Sequence, residues 1–124
     1  PEVVEYLNNF RLPYNLNIFS QVAGERLIER WELLKSRIEF IKREKDRIYN
    51  EMKKINSIEV YPSNTNFILF RSKKIREILR RCEDKGIALR DFSKEILLDN
   101  CLRVSVGSEF ENNLFINVLK EVFL

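Results

Sequence analysis

The sequence predicts an α/β domain in which helices cover a small sheet. Apolar residues at helical spacing fill a long stretch, from about residue 20 to 55, ahead of several short strand-like apolar runs. Two more helical patterns lie among and after these runs, at residues 73–84 and from Ser108 onward. The order helix, β, β, helix, β, β, helix is that of a layered α/β domain. The 124 residues suffice for one such domain with a substantial core.

The first major element is predicted to be one unbroken helix from Ser20, a good N-cap residue, to about Ile55. Before it, residues 2–8 are compatible with the end of a helix, and the segment around Pro13 with a connector. The apolar positions of the long helix are Leu27, Trp31, Leu34, Ile38, Ile41, Ile48, Met52 and Ile55. Some 35 residues would span about 50 Å, so we expect one end to extend beyond the small domain. The same stripe is compatible with a two-stranded coiled coil, although the α/β domain that follows favours burial against its own sheet.

Four short strands follow, separated by recognisable turns and helices. The strands are predicted at residues 58–61, 66–70, 87–90 and 102–106. The helix over 73–84 should end at Lys85-Gly86, a typical C-cap. A polar connector joins the last two strands. Ser108-Glu109 should begin the final helix, buried through Leu114, Val118, Leu119 and Val122.

Composition excludes several kinds of site within this chain. There is no histidine, which removes every histidine-based nucleophile, proton shuttle or metal site. The three glycines, Gly24, Gly86 and Gly107, cannot form a glycine-rich phosphate loop. The 22 basic and 19 acidic residues are interspersed, which argues against a nucleic-acid surface. No apolar run approaches the roughly 18 residues of a membrane helix. Cys82 and Cys101 lack metal-type spacing and indicate a reduced, cytosolic chain.

Two arginines at predicted strand positions are the candidate functional residues. Arg103 lies in the middle of a strand, on the face it shares with Cys101 and Ser105, and Arg90 directly follows another apolar run. A guanidinium presents a planar fork that binds a carboxylate or a phosphate through two parallel hydrogen bonds. Simpler interpretations are a carboxylate partner for Arg103 and a solvated pair formed by Arg90 and Asp91. The residues alone leave these alternatives open and predict a soluble α/β domain.

Four motifs resemble one enzyme family, in the order in which that family carries them. They are RLPYNLNIFSQ at 11–21, YPSNTNFILFR at 61–71, GIALRDFS at 86–93 and NCLRVSVGS at 100–108. Together they resemble the C-terminal part of the histidinol-phosphate aminotransferases, which are pyridoxal-phosphate enzymes of fold type I. The resemblance implies the small C-terminal domain of that fold at residues 20–124, with a long N-terminal helix followed by a small sheet covered by helices. Residues 1–19 would then be a linker from a large cofactor domain, and we expect the chain, which begins with Pro1, to be part of a longer protein.

The resemblance also implies roles for the two arginines. In the superfamily of fold type I aminotransferases, the arginine at the position of Arg103 binds the substrate carboxylate. In this family, the arginine at the position of Arg90 joins it around the phosphate of histidinol phosphate. The parent enzyme would transfer an amino group between histidinol phosphate and 2-oxoglutarate, in histidine biosynthesis. Alternatives are a related enzyme such as a threonine-phosphate decarboxylase, and a non-catalytic helical interaction module.

The cofactor implied by the resemblance is pyridoxal phosphate, held by segments that have no counterpart here. These segments supply the Schiff-base lysine, an aspartate for the pyridine nitrogen and a tyrosine. Lys73 and Lys94 follow serines but lie in the wrong context to replace that lysine. We therefore expect no catalytic residue, bound cofactor or metal in this chain, and no activity for it alone. The parent is expected to be a cytoplasmic homodimer without nucleic-acid or membrane partners.

Overall fold

The computed structural model describes residues 2–12 and 16–123. The chain divides into two compact units, an N-terminal unit (Pro1–Ser36) and a C-terminal unit (Arg37–Leu124). The boundary expected between residues 19 and 20, which would separate a linker from a small domain, stays a prediction. Among the helices of the described residues, none combines the length and apolar character that crossing a membrane requires.

The N-terminal unit consists of helices and begins with α1 (Glu2–Phe10), followed by α2 (Ile18–Glu29). The expected N-cap at Ser20 is wrong, because Asn17 caps α2 by accepting a hydrogen bond from the Ser20 backbone N–H at 2.7 Å. Asparagine caps a helix as well as serine does, so residue type alone could not decide between Asn17 and Ser20 as the N-cap. The connector expected around Pro13 lies outside the described residues.

The prediction of one unbroken helix from residue 20 to 55 is also wrong. The helix is interrupted at Arg30, whose backbone leaves the α region (φ −109°, ψ 41°) and whose N–H donates to the Leu27 carbonyl at 3.1 Å. A new helix, α3 (Trp31–Lys53), follows at once. Neither glycine nor proline marks the break, and apolar residues continue at spacings of three and four across it. Periodicity therefore could not reveal it. The 23 residues of α3 span about 35 Å, still a long helix ahead of the sheet.

The C-terminal unit contains a four-stranded, fully antiparallel sheet of order β1-β2-β4-β3. Its elements are β1 (Ile58–Val60), β2 (Phe67–Ser72), α4 (Ile75–Asp84), β3 (Arg90–Asp91), β4 (Cys101–Ser105) and α5 (Glu109–Phe123). The strand expected at 87–90 is wrong for its first three residues. Helix α4 ends in the two hydrogen bonds of a Schellman motif, Gly86 N–H to Glu83 O and Ile87 N–H to Cys82 O. Because Ile87 donates to the helix, strand pairing begins only at Arg90.

The core lies between helices α3 to α5 and one face of the sheet. Its fully buried side chains include Ile48 and Met52 of α3, Phe70 of β2 and Phe115 of α5. The apolar stripe of the long helical stretch is buried only in its second half. Its other half is open: Leu27, Trp31 and Ile38 are 45%, 54% and 41% exposed. In α5, Val118, Leu119 and Val122 are buried as expected, whereas Leu114 is half-buried.

Candidate anion-binding site

The two arginines singled out by the sequence lie side by side on the sheet. Strands β3 and β4 pair so that Arg90 and Arg103 are direct partners. Partners in an antiparallel pair have Cα atoms about 4.5–5.5 Å apart and side chains on the same face. On its other side, Arg103 is paired with Leu69 of β2. Leu102 and Val104 point into the core. Both arginines therefore project from the opposite face of the sheet.

Two aromatic rings contact the arginine pair. The guanidinium carbon of Arg103 lies 4.7 Å from the centroid of the Phe67 ring and 5.6 Å from that of Phe92. The guanidinium carbon of Arg90 lies 5.2 Å from the same Phe92 centroid. A cation over the face of an aromatic ring is attracted by the negative potential of that face. Phe92 thus contacts both charges at once, whereas Phe67 contacts only Arg103.

Arg103 has unused hydrogen-bonding capacity. Its Nε is the only side-chain nitrogen or oxygen within the described residues that is buried and has no hydrogen-bond partner. Within residues 2–12 and 16–123, no ion pair joins Arg103 or Arg90 to a carboxylate. Among the described residues, therefore, no carboxylate takes the place that the simpler interpretation gave it beside Arg103. A buried polar group without a partner is rare and costly, which indicates a site that a ligand would complete.

Asp91, next to Arg90 in the sequence, has a different partner. Its Oδ1 accepts a hydrogen bond from the Ser93 backbone N–H at 2.7 Å. The hydrogen bonds from Ser93 lower the pKa of the Asp91 carboxyl below its ordinary value. This turn starts the connector to β4 and leaves Arg90 exposed and free of its sequence neighbour.

A third arginine on the same sheet face, Arg71, was missed by sequence reasoning. It donates from Nε to the Asp99 carbonyl and from Nη2 to the Leu97 carbonyl, both at 3.0 Å. Its Nη1 lies 3.4 Å from Glu59 Oε2. Arg71 therefore holds the connector between β3 and β4, in which Leu97 and Asn100 have positive φ angles of 67° and 58°. Arg71 is the last residue of the YPSNTNFILFR motif, and this position was the signal in the sequence that could have identified it.

Behind the sheet, a buried polar network supports the end of β4. Glu44 of α3 is 4% exposed and accepts hydrogen bonds from Arg47 at 2.7 and 3.0 Å and from Asn112 Nδ2 at 2.9 Å. Asn112 also bonds the backbone of Gly107 in both directions, at 2.9 and 3.1 Å. The hydrogen bonds from Arg47 lower the pKa of the Glu44 carboxyl. The signal was present in the sequence, because Glu44 falls at helical spacing between Ile41 and Ile48.

The turn from β4 into α5 is closed by a capping box. Ser108 N–H and Oγ both donate to Glu111 Oε2 at 2.7 Å, and the Glu111 N–H lies 3.3 Å from Ser108 Oγ. A Cβ added at Gly107 would lie 2.7 Å from the same Glu111 oxygen. A side chain at this position would therefore displace the capping carboxylate of Glu111.

The lysines of the described chain are almost all exposed. Nine of the ten are exposed, and the half-buried Lys45 donates to the Ser63 carbonyl at 2.8 Å. Lys73 and Lys94 line an open cleft of about 470 Å³ together with Asp91. No group of three or more potential metal-ligating side chains occurs within the described residues.

Comparison with known proteins identifies the relatives of this chain, although no family model matches it. A histidinol-phosphate aminotransferase of Thermoanaerobacter pseudethanolicus is 42% identical over 122 residues, which cover 98% of this chain and 34% of that protein. The chain is homologous to the histidinol-phosphate aminotransferases. The structure of the histidinol-phosphate aminotransferase from Clostridium acetobutylicum superposes with a TM-score of 0.83 at 25% identity, over 98% of this chain and 37% of that one. The expected resemblance and the α/β fold of the C-terminal domain are confirmed.

The homology to histidinol-phosphate aminotransferases covers only part of those enzymes. The chain spans about a third of the length of the relatives it matches. The same fold occurs in the L-threonine-O-3-phosphate decarboxylase from Porphyromonas gingivalis, with a TM-score of 0.76 and 24% identity, over 95% of this chain and 38% of that one. This second similarity concerns the fold alone.

Proposed function

We propose that the chain is the C-terminal domain of a pyridoxal-phosphate-dependent histidinol-phosphate aminotransferase, in which Arg103 and Arg90 bind the anionic groups of the substrates. The observation that carries the proposal is the pairing of these arginines on one sheet face, with the buried Nε of Arg103 lacking a partner. The homology to aminotransferases supports the reaction class.

The two arginines suit the two substrates of such an enzyme. Histidinol phosphate brings a phosphate, and glutamate, formed from 2-oxoglutarate, brings carboxylates. Guanidinium remains charged at every physiological pH, and its fork fits either oxyanion. A charge-assisted hydrogen bond contributes about 1.5–3 kcal/mol, which corresponds to roughly ten- to a hundredfold in affinity. Arg103 and Arg90 would thus bind and orient the substrates, without taking part in bond breaking.

Pyridoxal phosphate, when bound, would withdraw electrons from the substrate amine carbon, but the residues of this chain do not fit it. Nine of the ten lysines are exposed, which argues against a lysine buried in a covalent cofactor site here. The cofactor and its lysine would come from the large domain of the parent. We accordingly propose that the chain alone is inactive and that the parent is a cytoplasmic homodimer.

The test is a transamination assay with the full-length enzyme, in which the formation of glutamate is followed with histidinol phosphate as donor. Arg90→Ala should raise the KM for histidinol phosphate roughly ten- to a hundredfold and change that for 2-oxoglutarate far less. Arg80→Ala, which removes an exposed arginine from α4, is the matched control and should leave both KM values unchanged. Equal effects of the two variants would contradict the proposed role of Arg90.

The substrate has its own test with the same enzyme. Turnover of threonine phosphate to carbon dioxide, without transamination of histidinol phosphate, would replace the proposed activity with that of the decarboxylase relative. Measurable transamination by the purified 124-residue chain would refute the assignment of the cofactor to another domain.

A helical interaction module is the alternative from a different class, and the open half of the apolar stripe favours it. Leu34 and Ile41 are half-buried, and their joint replacement by glutamate separates the two functions. Conversion of a folded dimer into a folded monomer, seen by sedimentation, would support the module. Unfolding of the chain would instead support a core role for these residues.

A further inference from the structure

We propose that Phe92 is a positioning residue that holds Arg90 and Arg103 together for one divalent anion, and thereby favours phosphate monoesters over carboxylates. The inference rests on the proposed anion-binding function and adds the residue that gives the pair its selectivity. Phe92 lies at the start of the connector, two residues after Arg90, and its side chain is half-buried.

The two guanidiniums repel each other. Like charges directly opposite each other on paired strands destabilise the pair. Within the described residues, neither arginine has a carboxylate partner that would compensate this repulsion. Arg90 is exposed and would be free to turn away into water, where a long side chain regains its rotational freedom. A group that attracts both guanidiniums is needed to keep the two side chains next to each other.

Phe92 is the side chain that meets this need. Both guanidinium carbons lie within 5.6 Å of its ring centroid, at cation–π distance. The backbone that carries the ring is held independently of the arginines. The Phe92 N–H donates to the Cys101 carbonyl at 3.0 Å, and the Phe92 carbonyl accepts from Glu95 N–H at 2.8 Å. The point from which the ring projects is therefore fixed before an anion arrives.

Selectivity follows from the number of arginines that each anion needs. A monoester phosphate carries close to two charges at neutral pH and has three acceptor oxygens, so it can accept from both guanidiniums. A carboxylate carries one charge and is satisfied by one bidentate fork. Loss of the shared ring should release Arg90 and loosen Arg103, and so weaken phosphate binding more than carboxylate binding. Phe67, which contacts only Arg103, provides the matched comparison.

The experiment measures binding of methyl phosphate and of acetate to the 124-residue chain by NMR, from the Nε–Hε signals of the arginines. The signals are assigned with Arg90→Lys and Arg103→Lys variants. Phe92→Leu should weaken methyl phosphate about five- to thirtyfold and acetate about two- to fivefold, given roughly two- to fivefold per cation–π contact. Phe67→Leu should weaken both anions by the same factor, and Phe92→Tyr should restore the wild-type preference.

Each outcome decides a separate point. Equal loss of both anions in Phe92→Leu, or no loss, would overturn the role of Phe92 while leaving the arginine site intact. Methyl phosphate binding that is absent in the wild type, or unchanged in Arg103→Lys and Arg90→Lys, would overturn the arginine site and this inference together. Backbone amide spectra that match the wild type establish that each variant is folded, and Phe92→Tyr supplies the test if Phe92→Leu is not.

Discussion

Replacing Glu44 by alanine is expected to lower the free energy of unfolding by about 2–4 kcal/mol. Glu44 is 4% exposed and accepts hydrogen bonds from Arg47 and Asn112. Each hydrogen bond to a charged group contributes roughly 1.5–3 kcal/mol. Part of this is recovered, because the Arg47 side chain is 35% exposed and can turn to water. Asn112 is 2% exposed and cannot, so its bond to Glu44 is lost outright.

Urea unfolding of the chain, followed by circular dichroism, measures this difference. Glu39→Ala is the matched control on the same helix, because the Glu39 side chain is 61% exposed and pairs with Lys42 at 3.0 Å. An exposed pair of this kind contributes less than about 1 kcal/mol. If Glu44→Ala cost no more than Glu39→Ala, the buried network would not stabilise the unit as argued here.

The charge of Glu44 also predicts a dependence on pH. Hydrogen bonds from Arg47 lower the pKa of the folded carboxyl below its unfolded value of about 4.3. The stabilisation is therefore complete above that value and is lost as the pH falls through the folded pKa. The stability difference between wild type and Glu44→Gln should be constant near neutral pH and should shrink below about pH 4. A difference that shrinks when the pH is raised from neutrality would show that the carboxylate charge is not the cause.

Three further measurements test other parts of the fold. Gly107→Ala should cost about 0.5–2 kcal/mol in urea unfolding, because the new Cβ would lie 2.7 Å from Glu111 Oε2 and displace this carboxylate from the helix cap; a neutral effect would contradict that displacement. Ile48→Ala should cost about 2–4 kcal/mol and Ile38→Ala less than about 1, since their exposures are 0% and 41%; equal costs would contradict a core confined to the second half of the stripe. Burial raises the pKa of the Cys82 thiol to about 11, so the thiol should react with a disulfide reagent only in the unfolded chain. In a variant without Cys101, the extent of labelling should therefore follow the urea unfolding curve. Rapid labelling of the folded chain would refute this.

Most elements of the C-terminal unit could be predicted because local signals and packing agree there. The glycine of Lys85-Gly86 adopts φ 75°, the backbone conformation that a helix C-cap of this kind requires. The start of α5 was predicted within one residue, at Ser108-Glu109, and the structure shows a capping box of Ser108 and Glu111 there. In β4, alternation correctly separates Arg103 from the core side chains.

The errors arose where a local sequence pattern was compatible with two different structures. Asn17 and Ser20 are both good helix caps, and the choice between them depends on the backbone of the preceding turn. At Arg30 the backbone N–H donates to the carbonyl three residues back, Leu27, and not to the one four residues back, as it would in an α-helix. The spacing of the apolar residues stays intact across this interruption. The pairing of Arg90 with Arg103 was out of reach for a related reason. A nine-residue connector allows several strand registers, and tertiary contacts such as those of Arg71 help to select one of them.

Arg71 and Arg103 show why residue type alone could not separate a structural arginine from one proposed to bind an anion. Both lie on the same face of neighbouring strands, are half-buried and contact aromatic rings. The guanidinium of Arg71 donates hydrogen bonds to two backbone carbonyls and to a glutamate. Its removal would release the connector between β3 and β4. Arg103 keeps a buried Nε without a partner, at the position where the resemblance places a substrate anion. Because a folded protein rarely leaves a buried donor unsatisfied, the difference in hydrogen bonding, and not the shared residue type, marks Arg103 as the arginine with room for a ligand.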